Sequence, residues 1–403
     1  MKNVILFEDD IRESFLPLSF TRPIADFRIG ILTISEKWER WLNCNVSYIT
    51  QDQLSKKFPI HITEDNYVIN SSILPNRKLV HLIEGLSLNE AFLYNDQLVA
   101  VRLDERQFEK LVNEEPIDEL KGTDLSGEDY INQISKPWHL FQKNGNQIKS
   151  DIKLLSSGRN SAEISSTNTI IGNKNDIFLE PGAKVEASIL NTCNGPIYIG
   201  NNAEVMEGSM IRGPFAMCEH AVVKMGAKIY EGSTFGPYCK IGGEVNNSIF
   251  FAYSNKAHDG FIGNSVIGEW CNIGADTNNS NLKNNYAEVK LWDYRTQRFQ
   301  KTGSQFCGLI MGDHSKVGIN VMFNTGTVVG CNTNIFGAGF PRNFIPSFSW
   351  GGAASYKTYN IDKAFEVAEA VMKRRNKVLT EEDRKILIHV YNQTAPFRSW
   401  EKE

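Results

Sequence analysis

A single histidine, His258, interrupts a stretch of sequence that is otherwise rich in small and aliphatic residues. It lies within Asn255–Asn264, at a position where the surrounding pattern would place a small or aliphatic side chain. An imidazole titrates near neutral pH, so it can act as a general base and accept a proton from an attacking amine. A lone histidine more often lies on a surface turn, and the local sequence leaves both interpretations open.

Other polar residues flank this histidine at equal distances along the chain. Glu244 lies fourteen residues before His258, and Asn272 lies fourteen residues after it. Asn281 follows nine residues later. All four positions carry a polar residue where the repeat usually has a small or aliphatic one. The sequence therefore places a candidate site between residues 244 and 281.

The elements that must hold these residues are indicated by a six-residue rhythm over residues 170–340. An aliphatic residue is followed by a small or polar one, as at Ile199 and Val205. A fixed short period is typical of stacked coils. One aliphatic side chain per face would point inward, while Gly, Asn and Asp serve the corners, where positive φ is needed. We predict a parallel β-helix over residues 151–345, with an antiparallel sandwich as the alternative.

Residues 1–150 show the pattern of a separate α/β domain. Short apolar runs predict strands, and apolar residues at helical spacing predict helices. The predicted strands cover residues 4–7, 46–49, 67–70 and 98–102, and the predicted helices cover 34–42 and 105–113. Because the strands alternate with helices, we predict a parallel or mixed sheet.

Three further segments depart from these two patterns. The polar stretch Gln142–Ser165 predicts a junction between domains, and the segment Asn284–Gln305 predicts an insertion in the coils. Such an insertion is either a binding loop or a tolerated excursion. Residues 346–403 predict a short helical tail, with an apolar helical face over 361–372 and a cap at Thr380.

The composition argues against several classes of function. The 403 residues carry a net charge of -4 with both signs interspersed, which makes nucleic acid a poor partner. No run approaches the roughly 20 apolar residues that a membrane span needs, and the N-terminus does not resemble a signal peptide. The seven cysteines are scattered, which argues against disulfides and structural zinc. We therefore expect a cytoplasmic protein.

Residues 243–281 resemble a known family in type and spacing. The shared elements are Gly243-Glu-Val, Lys256-Ala-His258, Ile262-Gly, Asn272-Ile-Gly-Ala and Asn281. They resemble the acetyltransferase half of the bacterial bifunctional enzymes that acetylate glucosamine 1-phosphate and couple the product to UTP. Residues 307–326 and the Ser347–Gly352 motif are similar to a variant branch of that family. The resemblance implies a left-handed parallel β-helix, acetyl-CoA as the acyl donor and a homotrimer with sites between subunits.

The resemblance also implies roles for individual residues. His258 would be the general base, and Glu244 would support the base or bind the sugar. Asn272 and Asn281 would position the sugar and the acetyl group. Lys224 resembles a cationic phosphate-binding position. The product, UDP-N-acetylglucosamine, would be a precursor of the cell envelope.

Two positions depart from the family's pattern. A tyrosine near the base is Phe261 here, and a lysine that would contact phosphate is Asn246. The hydroxyl and the ammonium group are thus missing from these places. Their loss is compatible with a different sugar substrate.

The N-terminal region resembles the opening of sugar nucleotidyltransferases. The resemblance lies in Leu16–Gly30, which is followed by a Glu-Lys pair that ends at Lys37. It implies that Arg22, Arg28 and Lys37 surround the phosphates of a nucleotide. Such a transfer also needs a magnesium ion to neutralise charge.

The usual glycine-rich loop of that family is replaced by the acidic segment Glu8–Ser14, which contains no glycine. Acidic side chains would repel a triphosphate unless they bind the metal first. Either Asp9 or Asp10 is therefore a magnesium ligand, or the domain has lost the ordinary chemistry. The usual Gly-Asp metal motif is also missing, and Asn70–Pro75 stands in its place.

Three alternatives stay open. The nucleotidyl transfer could use another sugar 1-phosphate, as in glucose-1-phosphate thymidylyltransferases. The N-terminal domain could instead bind a nucleotide sugar without catalysis, attached to an acyltransferase β-helix. A γ-type carbonic anhydrase would need three zinc-binding histidines, whereas His220, His258 and His314 lack a close pair.

Overall fold

The computed structural model of the chain describes residues 2–113, 115 and 120–401. These residues form two compact units. The first contains the residues up to Phe15, Arg22–Phe27 and Leu32–Lys136. Two short N-terminal segments, Leu16–Thr21 and Arg28–Ile31, belong by their contacts to the second unit, which continues from Pro137.

The first unit is an α/β domain around a six-stranded mixed sheet. Its strands are β1 (Asn3–Phe7), β2 (Asn45–Ile49), β3 (Asp65–Asn70), β4 (Ile73–Leu74), β5 (Glu90–Tyr94), β6 (Gln97–Asp104), β7 (Lys121–Asp124) and β8 (Asn132–Gln133). The order in the sheet is β2-β1-β3-β6-β5-β7, and β4 pairs with β8. Its helices are α1 (Ile34–Leu42), α2 (Asp52–Ser55), α3 (Arg77–Glu84) and α4 (Glu105–Val112). The strands and helices predicted from the sequence are all present.

The sheet is parallel only in part. Strand β1 pairs in parallel with β2 and with β3, as alternating strands and helices predict. Strand β6 runs antiparallel to β3 and β5, because β5 and β6 form a hairpin. Asn95 (φ 48°) and Asp96 (φ 62°) form its turn, and both adopt the positive φ that a tight two-residue hairpin requires.

The second unit is a β-helix of stacked coils with three faces. Most strands pair in parallel with the equivalent strand of the next coil, as where Val222 lies beside Lys240, eighteen residues later. Face one consists of Ile177–Leu179, Ile197–Ile199, Phe215–Met217, Ser233–Phe235, Ile249–Phe250, Val266–Ile267, Leu309–Met311, Thr327–Val329 and Phe344–Ile345. Face two consists of Lys184–Val185, Glu204–Val205, Val222–Val223, Lys240–Ile241, Asn255–Lys256, Asn272–Ile273, Lys316–Val317, Asn334–Ile335, Ser349–Gly351 and the antiparallel Tyr356–Thr358. Face three consists of Thr169–Ile171, Ile189–Asn191, Met210–Arg212, Lys228–Ile229, Glu244–Asn246 and Phe261–Gly263, followed by the separate pair Asn278–Asn279 and Met322–Phe323.

The core of the coils is a column of inward-facing aliphatic and aromatic side chains. Val223, Ile241 and Ile273 occupy equivalent positions on face two and are buried. The corners adopt positive φ, for example at Gly208 (φ 73°) and Asn320 (φ 54°). The six-residue rhythm therefore produces the predicted fold, and the stacked sheets are consistent with a left-handed β-helix.

The predicted insertion in the coils is a β-hairpin. Lys290–Asp293 pairs antiparallel with Arg298–Lys301. It lengthens one coil, so that Val266 lies beside Ile310, 44 residues later. The next coils return to the ordinary spacing.

The polar stretch that predicts a junction before the first coils lies largely in a helix, which the sequence analysis did not predict. Helix α5 (Pro137–Ser156) includes its first half. Three polar side chains, Asn144, Gln147 and Asp151, are buried among its apolar residues, and the Asn144 amide group donates to the Gly232 carbonyl (2.7 Å) and to the Thr234 hydroxyl (2.9 Å). The exposed residues of this helix are all polar, which gives the stretch the composition of a linker.

The chain ends in two helices, α6 (Ile361–Lys373) and α7 (Glu381–Gln393). The α6 residues Ala364, Phe365, Ala368 and Met372 are buried, as the apolar face predicts. Thr380 caps α7 through a reciprocal pair of hydrogen bonds with Asp383. Within the described residues, no helix is both long enough and apolar enough to cross a membrane.

Candidate functional site

The turn that carries His258 is held by a lysine inside the β-helix. Lys256 lies beside Ile241 on face two and occupies an inward position that other coils fill with an aliphatic residue. It is 0% exposed, and its ammonium group donates to the backbone carbonyls of His258 and Asp259. A buried charge needs such partners, so Lys256 fixes the backbone of the turn. The His258 side chain itself is exposed.

Glu244 lies at the same corner, one coil earlier. Its backbone N–H donates to the Gly260 carbonyl (3.1 Å), and it stands opposite Phe261. A Cβ at the preceding Gly243 (φ 73°) would lie 2.9 Å from the His258 carbonyl oxygen. The close approach of the two coils therefore requires glycine. The structure brings Glu244 and His258 to one corner, although it shows no hydrogen bond between their side chains.

Asn272 lines a cavity of about 590 Å³ on face two, which we call the basic cavity. The cavity is lined by Lys240, Tyr253, Asn255, Ala257, Trp270, Cys271, Asn272, Lys316, Val367, Val371, Arg374 and Arg375. Asn272 stands in register with Asn255, whose side-chain oxygen is buried without a hydrogen-bond partner among the described residues. Ala257, the residue before His258, lines the cavity, whereas His258 does not.

The basic cavity is suited to an anion. Four of the described residues that line it are cationic, and none is acidic. Burial lowers the pKa of Lys240, and the positive charges of Arg375, Lys224 and Arg374 lower it further. Like charges gathered in a cavity with no acidic residue among its described lining residues favour an anionic ligand such as a phosphate.

One wall of the basic cavity belongs to an aromatic ladder that the sequence analysis missed. The rings of Tyr253 and Trp270 stack at 4.1 Å with an angle of 3° between planes. The ladder continues through consecutive coils and consists of His220, Tyr238, Tyr253, Trp270 and His314. Their φ values lie between 55° and 61°, a region that coil corners usually fill with glycine or asparagine. Bulky residues at corner positions were the signal that could have revealed it.

The remaining two predicted residues of this unit lie apart from the basic cavity's lining. The Asn281 amide group donates to the Asn264 side-chain oxygen (2.7 Å) and ties the coil after the candidate site to face three. Lys224 follows the strand Val222–Val223, and a Cβ at Gly242 would lie 3.1 Å from its Cβ. Lys224 is thus close enough to influence Lys240 without lining the cavity.

The acidic segment of the first unit contains one residue with a structural role. The Glu8 side chain is 3% exposed and forms an ion pair with Arg12 (3.3 Å). It also accepts hydrogen bonds from the Ile24 backbone N–H (2.6 Å) and the Thr50 hydroxyl (2.5 Å). Burial raises the pKa of Glu8, while Arg12 opposes that shift. These contacts hold the Glu8 carboxylate in place within the first unit.

Asp9 lies where a nucleotide site would be expected, at the carboxyl ends of the parallel strands β1 and β3. Its carboxylate accepts hydrogen bonds from the Asn70 amide group (2.9 Å) and from the Ile11 backbone N–H (3.0 Å). Asp10 is exposed. Asn70 ends β3 and is the residue that positions Asp9 here.

No three His, Cys, Asp or Glu side chains converge as a metal site in the part of the chain that the structure describes. Magnesium usually takes one or two carboxylates and completes its shell with water and substrate phosphates. Binding of magnesium by Asp9 and Asp10 stays a prediction.

The three predicted phosphate-binding cations occupy different surroundings. Arg22 forms an ion pair with Asp26 (3.0 Å). Lys37 is buried on α1. Arg28 belongs to the second unit, where its guanidinium group donates to the Ile31 carbonyl and contacts the Cys218 sulfur at 3.6 Å. Their role in nucleotide binding stays a prediction.

Comparison with known families supports a transferase. Residues 4–160 match the family model described as sugar nucleotidyl transferase, which covers less than half of the chain. The first part of the chain is therefore similar to enzymes that transfer nucleotidyl groups to sugars. The sequence matches no curated protein.

Solved structures also share features with this chain. One is the crystal structure of the polySia-specific acetyltransferase NeuO, with 14% sequence identity and a TM-score of 0.25. The match covers 48% of this chain and 83% of that one. The β-helix is shown by the strand pairing described above.

Proposed function

We propose that this chain is a bifunctional transferase of sugar-nucleotide synthesis. The β-helix would transfer an acetyl group from acetyl-CoA to the amine of glucosamine 1-phosphate. The first unit would then couple the N-acetylated sugar 1-phosphate to UTP. The observation that carries the acyl-transfer half is a fixed turn that presents His258 next to a basic cavity. The family match and the placement of Asp9 support the other half.

In the acyl-transfer step, the His258 imidazole would take a proton from the amine as nitrogen attacks the thioester carbonyl. The new C–N bond forms, the C–S bond breaks, and the thiolate leaves and is protonated. A coil backbone N–H or an asparagine amide would stabilise the oxyanion. Lys240, Arg374 and Arg375 would bind the phosphates of the donor or the sugar.

In the nucleotidyl-transfer step, a phosphate oxygen of the sugar would attack the α-phosphorus of UTP, and pyrophosphate would leave. Asp9 and Asp10 would hold a magnesium ion, which supplies positive charge against the phosphates. Asn70 keeps the Asp9 carboxylate in place through their hydrogen bond (2.9 Å).

The exposure of His258 favours a site that is completed by another copy of the chain. A homotrimer of β-helices in the cytoplasm would provide the missing wall and exclude water from the reacting groups. Sedimentation analysis tests this, because a monomer with full acetyltransferase activity would contradict it.

One observation favours a second candidate for the first unit. Glu8 is engaged in the fold and the segment Glu8–Ser14 has no glycine to surround phosphates. The unit would then bind a nucleotide sugar without catalysis, or use another sugar 1-phosphate and nucleotide, as in thymidylyl transfer.

The acyl-transfer half is tested by the release of coenzyme A thiol with acetyl-CoA and glucosamine 1-phosphate. Loss of a general base lowers rates by about 100-fold or more, so we expect His258→Asn to be that much slower. His389→Asn, which changes an exposed histidine on α7, serves as the matched control. Equal rates for both variants would remove His258 from the mechanism.

Pyrophosphate release tests the other half, with N-acetylglucosamine 1-phosphate or glucose 1-phosphate and each of UTP, dTTP, CTP and ATP. We expect UTP to be preferred and Asp9→Asn to slow release at least about tenfold, since a ligand to the metal is lost. Asp52→Asn, at an exposed residue of α2, is the control. Absence of release with every pair would leave a binding domain.

A further inference from the structure

A second cavity, of about 540 Å³, lies between the inserted hairpin, the last coil and the C-terminal end of the chain. Its walls are largely aromatic, and we call it the aromatic cavity. It is lined by Trp292, Phe299, Arg342, Asn343, Phe344, Pro346, Tyr356, Phe397, Ser399 and Trp400. Neither reaction proposed above uses it. Its volume lies within the range of small-molecule sites.

The rings are arranged for contact with a flat group. Trp292 stacks on Phe344 with centroids 4.3 Å apart and planes 13° apart. Trp400 stacks on Tyr356 with centroids 5.6 Å apart and planes 25° apart. Phe299 is 43% exposed although it lines the cavity. Aromatic faces left accessible in a concave site favour a planar, π-bonded ligand.

Two polar atoms in these walls are buried and lack a protein partner. The Trp292 indole N–H and the Tyr356 hydroxyl form no hydrogen bond with any described residue. Buried polar groups are nearly always hydrogen-bonded in native structures, so each of these groups calls for an acceptor or donor from outside the chain. A hydrocarbon ligand would leave both unsatisfied, whereas a heteroaromatic ring would offer nitrogen and oxygen atoms to them.

The aromatic cavity also carries a positive charge. Arg342 is exposed and has no ion-pair partner in the described part of the chain. No acidic residue occurs among the described residues that line the cavity. A guanidinium group at the edge of an aromatic site binds phosphate through paired, charge-assisted hydrogen bonds.

We propose that the aromatic cavity binds a nucleotide, with the base against the aromatic rings and a phosphate at Arg342. The base accounts for the flat walls and for the two unpartnered groups, and the phosphate accounts for the arginine. A free nucleoside diphosphate and the adenosine diphosphate part of coenzyme A share this chemistry. The inserted hairpin is thus a binding element of the second unit.

The test is isothermal titration of the full-length chain with ADP, UDP and coenzyme A. Arg342→Gln is expected to remove one binding site or to weaken it about tenfold, because a charge-assisted hydrogen bond is lost. Lys357→Gln, at an exposed neighbour that does not line the cavity, should bind as the wild type does. A free-nucleotide site will bind ADP or UDP as tightly as coenzyme A, and a coenzyme A site will prefer coenzyme A.

Two further measurements separate ligand binding from a structural role of the same residues. Tyr356→Phe should weaken binding of the phosphate-free nucleoside adenosine, while the melting temperature stays the same or rises, since an unpartnered hydroxyl is removed. Arg342→Gln should leave adenosine binding unchanged. The proposal is wrong if no nucleotide binds with a dependence on Arg342, or if Tyr356→Phe binds adenosine as tightly as the wild type. It is equally wrong if no nucleotide binds and Phe299→Ser changes the sedimentation coefficient, which would make the cavity a contact between copies.

Discussion

At the scale of single residues, the most informative side chain is a lysine in an aliphatic column. Lys256 occupies the position that Ile241 and Ile273 fill in neighbouring coils, and its ammonium group binds the carbonyls of the His258 turn. An aliphatic residue there would pack as well or better. The charge is therefore best explained by the turn that it holds.

The change Lys256→Met tests this role. We expect the chain to fold, because methionine fits the aliphatic column, and we expect thiol release to fall about tenfold or more because the His258 turn loses its anchor. Thiol release and circular dichroism measure the two effects. Unchanged activity in a folded Lys256→Met chain would contradict the positioning role.

The same substitution changes the pH dependence of stability. Burial lowers the pKa of Lys256 to about 8, so the unfolded chain, with an ordinary lysine pKa of about 10.4, binds this proton more tightly. The free-energy cost of burying the charged lysine is fully present below about pH 8, and it is relieved as the pH rises toward about 10. The difference in melting temperature, wild type minus Lys256→Met, should therefore increase as the pH rises from about 7.5 to about 9.5.

At the scale of elements, the candidate site lies where the coils are compressed. Lys240 pairs with Asn255, only fifteen residues later, whereas Val222 pairs with Lys240 after eighteen. The shortened coil brings Gly243 against the carbonyl of His258. Coil length, and not only side-chain type, thus sets the approach of Glu244 to His258.

The change Gly243→Ala tests the close approach, and Gly226→Ala provides a matched control. Both glycines have positive φ (73° and 69°), but a Cβ at Gly226 meets nothing within 4 Å. Each variant should lose about 1–2 kcal/mol from backbone strain, and Gly243→Ala should lose about 1–3 kcal/mol more from the clash. Urea unfolding measures both values, and equal losses would contradict the account of this corner.

At the scale of the whole molecule, one chain carries two units with different candidate sites. The first unit positions Asp9 and Asn70 at the end of a sheet, and the second presents His258 beside a basic cavity. The product of the proposed acyl transfer is the substrate of the proposed nucleotidyl transfer. Combining both on one chain fits consecutive steps of one synthesis.

The repeating elements of this molecule could be predicted from the sequence, and the departures from the repeat could not. The coil rhythm and the Thr380 cap depend on local spacing, so the β-helix and the terminal helix could be predicted. The aromatic ladder was not predicted, because Tyr253 and Trp270 lie at corner positions. Their rings are stabilised there by stacking between coils, which local sequence patterns do not reveal. Helix α5 was not predicted because its exposed side chains and some of its buried ones are polar, and buried Asn144 finds its hydrogen-bond partners far away in the sequence.

The candidate site could be predicted only in part. The sequence predicts that Glu244, His258 and Asn272 belong to one site, and the structure brings Glu244 and His258 to one corner while Asn272 lines the basic cavity. Local sequence does not indicate that Lys256 points inward, because its neighbours along the chain do not show which coil lies above or below. The arginines of the basic cavity come from the end of α6, more than a hundred residues away.

The most direct test of the central claim follows one labelled acetyl group through both reactions. The wild-type chain is incubated with isotopically labelled acetyl-CoA, glucosamine 1-phosphate, UTP and magnesium, and the nucleotide sugars are analysed by mass spectrometry. The account predicts labelled UDP-N-acetylglucosamine with the wild type and an initial rate of its formation about 100-fold lower with His258→Asn. A wild-type chain that forms no labelled sugar phosphate and no labelled nucleotide sugar, with glucosamine 1-phosphate or any other amino sugar 1-phosphate, would contradict it.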